Sequence, residues 1–343
     1  MRERAAAFAP GRVNLLGEHT DYNEGLALPF AISQGVTVRA RRTRDLRIEA
    51  LAVDLGKRDS FALERPAAAP GWRGFVRGAA AELQQAGVRL PGARLEITGT
   101  VPRGSGLSSS AALEVALCLA LLALTDGPVP DRLALAQICS RIENVWVGAR
   151  TGLLDQIASL YGEPDTAMRI DFRSLEVTNV ALDLDGFSLV TLDSGERHAN
   201  ALSGYNQRRD ECARACAQLG VSSLRDTTLE MTEDLPAPLA ARARHVVTEN
   251  ARVQEAVAAL AGRDLAELGR LLDACHASLR DCYEISTPAV EATVERLHRA
   301  GAVGARIVGG GFGGSVLGLF PPGATAPQDA VEVSPGPGAH FIA

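Results

Sequence analysis

The chain has 343 residues, a length that suggests two domains. Hydrophobic residues make up 46% and charged residues 22%, as is typical of a globular protein, and the net charge of −6 argues against a nucleic-acid-binding surface. Lys57 is the only lysine, and its neighbours form neither the Gly-Lys-Ser/Thr of a P-loop nor an environment suited to a pyridoxal Schiff base.

The first half of the chain mixes strands and helices. β-Branched residues and alternating polarity predict two strands within residues 36–53 and a third over 93–101. The spacing of apolar residues predicts helices over 111–124 and 131–147, and alternation returns over 183–193.

The second half is predicted to be mainly helical. Apolar residues recur at three-to-four spacing over 205–219, 238–260 and 265–283. A further helix should begin after Thr287 with Pro288 at its first position, and end at Gly301. Short strands are expected over 305–308 and 315–320. An α+β protein of two domains follows, covering residues 1–186 and 187–343.

An unusual polar segment lies near the start, at residues 10–23. It holds one arginine, one histidine, two carboxylates and two asparagines, but also Val13, Leu15 and Leu16. Sugar hydroxyls need matched donors and acceptors of this kind. A solvated turn would be as polar, but it would rarely contain so many apolar residues, so we favour a functional segment.

A loop of glycines and serines, residues 102–112, joins the strand over 93–101 to the helix over 111–124. Small residues let backbone amides approach a ligand, and a helix N-terminus favours phosphate. The simpler alternative is a helix start with a serine N-cap. Because lysine is absent here, neutralising charge would come from amides, arginine and magnesium. Glu143 could complete a magnesium site with a loop serine, although alone it is typical of a surface helix.

Two later segments are less specific. Asp155 lies in an apolar stretch, residues 152–158, where a carboxylate is costly unless paired, but from the local sequence alone a helix cap is the better explanation. Residues 309–314 contain five glycines in six positions between two predicted strands. We favour a ligand-facing loop there over a tight hairpin.

No feature of the chain predicts export or membrane insertion. The six cysteines show no Cys-x-x-Cys spacing, the first residues are charged, and the longest apolar stretch is short and contains Glu114. We therefore expect a cytoplasmic protein with reduced thiols.

Together these segments resemble the GHMP small-molecule kinases, and within them the galactokinases. Residues 11–23, Gly-Arg-Val-Asn-Leu-Leu-Gly-Glu-His-Thr-Asp-Tyr-Asn, are similar to the galactokinase signature, 104–111 to the ATP loop, and 309–314 to the third motif. Residues 203–212 and 278–286 also resemble galactokinases. The resemblance implies a two-domain GHMP kinase fold, with a mixed-sheet N-terminal domain and a ferredoxin-like helical C-terminal domain.

The resemblance also implies an activity. It predicts ATP-dependent phosphorylation of galactose at the anomeric hydroxyl to galactose 1-phosphate, the first committed step of galactose catabolism, in a monomer that uses ATP and Mg²⁺. One alternative is a related acceptor, N-acetylgalactosamine or arabinose; galacturonate is disfavoured because Glu18 should repel its carboxylate. The other is a non-catalytic sensor of galactose and ATP.

Each predicted role follows from a matched motif position. Asp155 would be the catalytic base, with Arg12 beside the transferred phosphate. Magnesium would be held by Ser110 and Glu143. The sugar would be held by Glu18, His19, Thr20, Asp21, Gly152 and Tyr205. The ATP phosphates would be wrapped by Gly104, Ser105, Gly106, Leu107, Ser108, Ser109 and Ser110.

Overall fold

The computed structural model describes residues 2–102, 104–197 and 201–342. The strands are β1 (Arg4–Asn14), β2 (Leu26–Ala27), β3 (Pro29–Thr43), β4 (Arg47–Ala52), β5 (Lys57–Ala62), β6 (Gly92–Gly99), β7 (Thr166–Asp171), β8 (Glu176–Ala181), β9 (Ser188–Arg197), β10 (Gly304–Ile307), β11 (Gly313–Phe320), β12 (Val331–Val333) and β13 (His340–Ile342). The α-helices are α1 (Trp72–Gln85), α2 (Ser109–Leu122), α3 (Arg132–Arg141), α4 (Leu154–Tyr161), α5 (Ala201–Leu219), α6 (Leu229–Glu233), α7 (Leu239–Ala261), α8 (Leu265–Asp281) and α9 (Pro288–Arg299).

The first half is built on a mixed sheet of order β13-β1-β3-β6-β4-β5, in which β4 and β6 are parallel and the other pairs antiparallel. Its edge strand β13 comes from the second half of the chain, so residues 340–342 of the predicted domain 187–343 pair with the N-terminal sheet. One face of this sheet is buried, as strand β6 illustrates. Its apolar residues Ala93, Leu95 and Ile97 are buried and alternate with exposed Arg94 and Glu96. Helix α2 is apolar on nearly all sides and packs against β1, β3 and the other helices of this half. A smaller sheet, β2-β7-β8, completes the half.

The second half holds an antiparallel sheet of order β10-β11-β9-β12, against which α8 and α9 pack. As predicted, Thr287 caps α9 through its hydroxyl and Pro288 opens the helix. The predicted α+β class, with a mixed N-terminal sheet and a helical C-terminal half, is confirmed. The chain changes sheet between β8 and β9. That change supports a domain border near Gly186, which we keep as a proposal.

Several element boundaries differ from the sequence prediction. The strand expected over 183–193 begins only at Ser188, because Asp185 and Gly186 adopt left-handed backbone conformations. The helix expected over 131–147 divides into α3 and a π-helical turn, Ile142–Val147. Alternating polarity gave no sign of β1, whose C-terminal half is buried on both faces.

Two hydrophobic clusters form the core. Val13, near the end of β1, and Leu15 and Leu16, which follow that strand, pack in the cluster that also fills the C-terminal half. The segment that carries the candidate sugar ligands is therefore anchored in the cluster that it shares with the C-terminal half. Within the described residues, no helix is both long and apolar enough to span a bilayer.

Candidate active site

A cavity of about 590 Å³ opens between the two halves, and most of the predicted site residues line it. The glycine loop 310–314 closes one side, so its ligand-facing interpretation agrees with the structure better than a simple hairpin. The lining also includes Thr151, Glu196 and Phe312, for which the sequence suggested no role. The predicted residues that line it are Arg12, Glu18, His19, Asp21, Gly104, Gly106, Ser110, Gly152, Asp155 and Tyr205.

Arg12 and Asp155 form an ion pair in this cavity. Arg12 Nη2 lies 2.6 Å from Asp155 Oδ1, and Arg12 Nη1 donates to the carbonyl oxygen of Gly106 at 2.6 Å. Ser108 donates its hydroxyl to the other carboxylate oxygen. Asp155 lies in the first turn of α4, whereas the N-cap is Leu153. The carboxylate therefore faces Arg12 and the loop instead of capping its own helix.

The glycine-serine loop begins α2 in an unusual way. Ser108, at the N-cap, has a positive φ of 58° and makes no capping hydrogen bond, because its hydroxyl is bound to Asp155. The N-cap side chain therefore leaves the amides of the first turn of α2 uncapped, an arrangement that suits an anion. Gly106 packs so closely on the residue that precedes the glycine loop 309–314 that an added Cβ would lie 2.7 Å from the Val308 carbonyl oxygen.

Other members of this loop are placed differently. Ser105 and Leu107 are buried: the Ser105 hydroxyl donates to the Pro102 carbonyl oxygen, and the Leu107 carbonyl oxygen accepts from the Arg12 amide. Ser109 lines a neighbouring cavity instead. Arg103 lies outside the described residues.

The candidate sugar ligands are fixed by long-range contacts. Glu18 Oε1 accepts from Arg306 at 2.5 Å and from the Gly309 amide at 2.7 Å. Gly152 lies against Asp21, where an added Cβ would be 2.1 Å from Asp21 Oδ2. Thr20 lies outside the cavity, because its buried hydroxyl donates to the carbonyl oxygens of Gly17 and Leu26. We therefore expect Thr20 to hold the loop, not the sugar.

His19 lies in an aromatic cluster with Tyr22, Tyr205 and Tyr283. Its Nε2 faces the Gly310 carbonyl oxygen at 3.3 Å, and its Nδ1 lies 2.8 Å from the Tyr22 hydroxyl. A carbonyl only accepts, so Nε2 carries the proton and Nδ1 accepts from Tyr22. Burial lowers the pKa of His19 to about 3, so the ring is neutral.

The carboxylates of Glu18, Asp21 and Asp155 line the same cavity, and their mutual repulsion contributes to a raised pKa at Asp21. Burial, together with the neighbouring charges of Asp155 and Glu18, raises the pKa of Asp21 to about 6, against the opposing effects of the Tyr22 amide hydrogen bond and the charge of Arg209. Asp21 is therefore mostly ionised at neutral pH but sensitive to acid.

Glu143, the candidate magnesium ligand, is buried, which argues against the alternative of an ordinary surface helix residue. Its carboxylate is hydrogen-bonded to Ser110, Thr151 and Gln156, and burial together with the charge of Asp155 raises its pKa. A buried carboxylate beside a hydroxyl provides the hard oxygen donors that magnesium prefers, and a cation would offset the clustered negative charge. The pair Ser110 and Glu143 is therefore suited to magnesium.

Comparison with known families matches three regions of the chain. Residues 2–42 match the galactokinase galactose-binding signature, 74–163 the N-terminal domain of GHMP kinases, and 256–335 the C-terminal domain of GHMP kinases. A galactokinase from Mycobacterium tuberculosis is 46% identical, with 91% of this chain and 88% of that protein aligned. The chain belongs to the galactokinase family. A galactokinase from Actinobacillus succinogenes is 40% identical over 95% of this chain and 86% of its own length.

Solved structures agree with membership of the galactokinase family. The crystal structure of Lactococcus lactis galactokinase complexed with galactose has a TM-score of 0.92 and 32% identity, covering 99% of this chain and 96% of that one. A mevalonate kinase structure has a TM-score of 0.67 at 18% identity, with 93% of this chain and 91% of that chain covered, and shares the fold alone. The resemblance predicted from the motifs is confirmed.

Two features of this galactokinase-family chain were not predicted from its sequence. A second cavity, of about 470 Å³, adjoins the first at Ser110 and is lined by Trp72, Phe75 and Leu113. The other feature is Arg306 in β10, which precedes the third motif and had no assigned role. An arginine in an otherwise apolar strand was the available signal, because a buried charge requires a partner.

Proposed function

We propose that this chain transfers the terminal phosphoryl group of ATP to the anomeric hydroxyl of galactose, giving galactose 1-phosphate and ADP. The observation that carries the proposal is that one cavity holds the ion pair of Arg12 and Asp155 together with other residues of the galactokinase signature and of the phosphate loop. Family membership with close sequence relatives supports the same reaction.

Asp155 and Arg12, the two members of the ion pair, have different roles in the proposed phosphoryl transfer. The anomeric oxygen forms a bond to the γ-phosphorus, the bond from that phosphorus to the bridging oxygen breaks, and ADP leaves. Asp155 accepts the hydroxyl proton. Arg12 stabilises the negative charge spread over the transferred group, which is the main requirement of phosphoryl transfer.

The remaining site residues hold the two substrates. Asp21 and Glu18 would accept hydrogen bonds from sugar hydroxyls, while Tyr205 and the neutral His19 ring provide an apolar and aromatic wall. Gly152 keeps Asp21 accessible. The amides of residues 104–110 would bind the ATP phosphates. When bound by Ser110 and Glu143, Mg²⁺ would neutralise phosphate charge.

We assign the adenine ring of ATP to the second cavity. Its apolar and aromatic lining suits a purine, and it meets the catalytic cavity at Ser110, on the phosphate loop. A nucleotide could therefore lie with its base beside Trp72 and its phosphates along the loop.

Replacing Trp72 by alanine tests this assignment. Loss of an aromatic face against a base costs about 1–3 kcal/mol, so the ATP KM should rise about 5- to 150-fold, whereas the galactose KM should stay unchanged. Trp72→Phe is the matched control and should retain most of the affinity for ATP. An unchanged ATP KM in Trp72→Ala would remove the base from this cavity.

The proposed reaction is tested by coupled ADP release with Mg-ATP and a panel of sugars. We expect turnover with galactose to exceed that with N-acetylgalactosamine, arabinose and glucose. A better rate with N-acetylgalactosamine or arabinose would favour the related acceptor. Binding of galactose and ATP without turnover of any sugar would favour the sensor alternative.

We also propose a cytoplasmic location and a monomeric state. All six cysteines are free thiols, as suits a reducing compartment, and the proposed reaction consumes ATP. Size-exclusion chromatography with light scattering measures the oligomeric state directly.

A further inference from the structure

Glu18 is held in place from the second half of the chain. Its side chain lines the catalytic cavity, but Oε1 accepts two hydrogen bonds from the opposite side, one from Arg306 and one from the Gly309 amide. Because both donors bind the same oxygen, they fix the direction in which the carboxylate faces.

The guanidinium of Arg306 has no exposure to solvent, and protein oxygens surround it. Its Nε donates to the Ile307 carbonyl oxygen at 2.7 Å, and Nη1 donates to those of Asn14 and Leu15 at 3.2 and 2.9 Å. Nη2 forms the ion pair with Glu18. A lysine has one point charge and could not reproduce this fork of bonds.

The same bonds connect the galactokinase signature, residues 11–23, with the glycine loop 309–314. Asn14 and Leu15 directly precede the sugar-binding part of the signature, and Gly309 belongs to the loop that backs Gly106. Arg306 thus lies behind the sugar side of the cavity, in contact with Glu18 but outside the cavity lining.

We propose that Arg306 is a positioning residue for galactose, and that it acts by fixing the Glu18 carboxylate toward the sugar. The inference rests on the proposed function and deepens it. Arg306 itself does not touch the substrate. Its role is to hold one carboxylate oxygen in place, so that Glu18 presents a fixed acceptor to a neutral sugar hydroxyl.

The test measures galactose and ADP binding by calorimetry in Arg306→Met. We expect the galactose Kd to rise about 10- to 100-fold, the size of a lost hydrogen bond to a charged group, while the ADP Kd stays near its original value. Arg263→Met is the matched control, because it removes an exposed ion pair with Asp183 and should change neither Kd.

A double variant separates positioning from folding. In Glu18→Gln/Arg306→Met no buried charge is left unpaired, so thermal stability should recover relative to Arg306→Met. The galactose Kd of the double variant should equal that of Glu18→Gln alone, because Arg306 acts through Glu18. Additive losses, or recovery of galactose binding together with stability, would overturn the inference.

Two outcomes keep this inference distinct from the proposed function. If Arg306→Met does not fold, Arg306→Lys takes its place: it keeps the charge and loses the fork, and it should still weaken galactose binding more than ADP binding. If the unaltered chain binds no galactose, the proposed function fails. If it binds galactose and both Arg306 variants bind it equally well, only the role of Arg306 fails.

Discussion

Replacing Asp155 by asparagine should lower kcat by about 10²–10⁴-fold, the usual contribution of a positioned general base. Galactose and ATP should still bind, because the amide keeps the shape of the side chain. Its oxygen can accept from either Arg12 or Ser108, as the carboxylate does now. What is lost is the acceptor for the proton of the attacking hydroxyl.

Single-turnover kinetics with equilibrium binding of both substrates distinguishes this loss from misfolding. Arg12 is nearly buried, so removing its carboxylate partner will also lower thermal stability to some extent, and the melting temperature should be recorded. Asp183→Asn is the matched control, because it neutralises an exposed aspartate paired with Arg263. A kcat near normal in Asp155→Asn would remove Asp155 as the base.

The parts of the site that could be predicted from sequence are contiguous in the chain. The signature at 11–23, the loop at 104–110 and the glycines at 309–314 each concentrate one chemistry within a few residues. Glycines at a strand–helix junction have a local physical meaning, because they allow close backbone approach. Most of these residues do line one cavity.

What could not be predicted depends on contacts between distant segments. The sequence could not show that Glu18 pairs with Arg306 or that Gly152 lies against Asp21. The same limit explains why Thr20 was predicted to hold the sugar. Its hydroxyl donates to the Leu26 carbonyl oxygen, in a strand that local patterning did not reveal. Asp155 is the clearest case. Its local sequence allowed a helix cap, and only the approach of Arg12 and Ser108 gives it another role.

The second large effect is expected at Asp21, where Asp21→Asn should raise the galactose KM at least about 100-fold. Each hydrogen bond to a charged group contributes about 1.5–3 kcal/mol, and a site built to bind hydroxyls discriminates strongly when its acceptor is altered. ATP binding should persist, because Asp21 belongs to the galactokinase signature and lies against Gly152, another candidate sugar ligand, and is not part of the phosphate loop. Galactose and ADP titrations measure both, and Asp183→Asn again serves as control.

The pKa of Asp21 adds a pH dependence with a definite sign. If the ionised form binds sugar, galactose affinity should fall as the pH drops below about 6, and Asp21→Asn should lack this acid limb. His19 and His245 have pKa values of about 3 and 4, so neither titrates in that range. A limb that survives in Asp21→Asn would assign it to another group, such as Glu143, whose pKa is also raised.

As the pH rises, the contribution of Asp21 to folding stability should fall while its contribution to galactose binding rises. Folding raises the pKa of Asp21 above its unfolded value of about 3.9, so its contribution to stability is complete below that value and is lost as the pH rises through about 6. At pH 8 the buried charge therefore destabilises the fold. Asp21→Asn should raise the melting temperature at pH 8, and the gain should vanish near pH 4. A variant that binds galactose poorly yet melts higher would identify Asp21 as a group kept for function at a cost in stability. A lower melting temperature at pH 8 would contradict this.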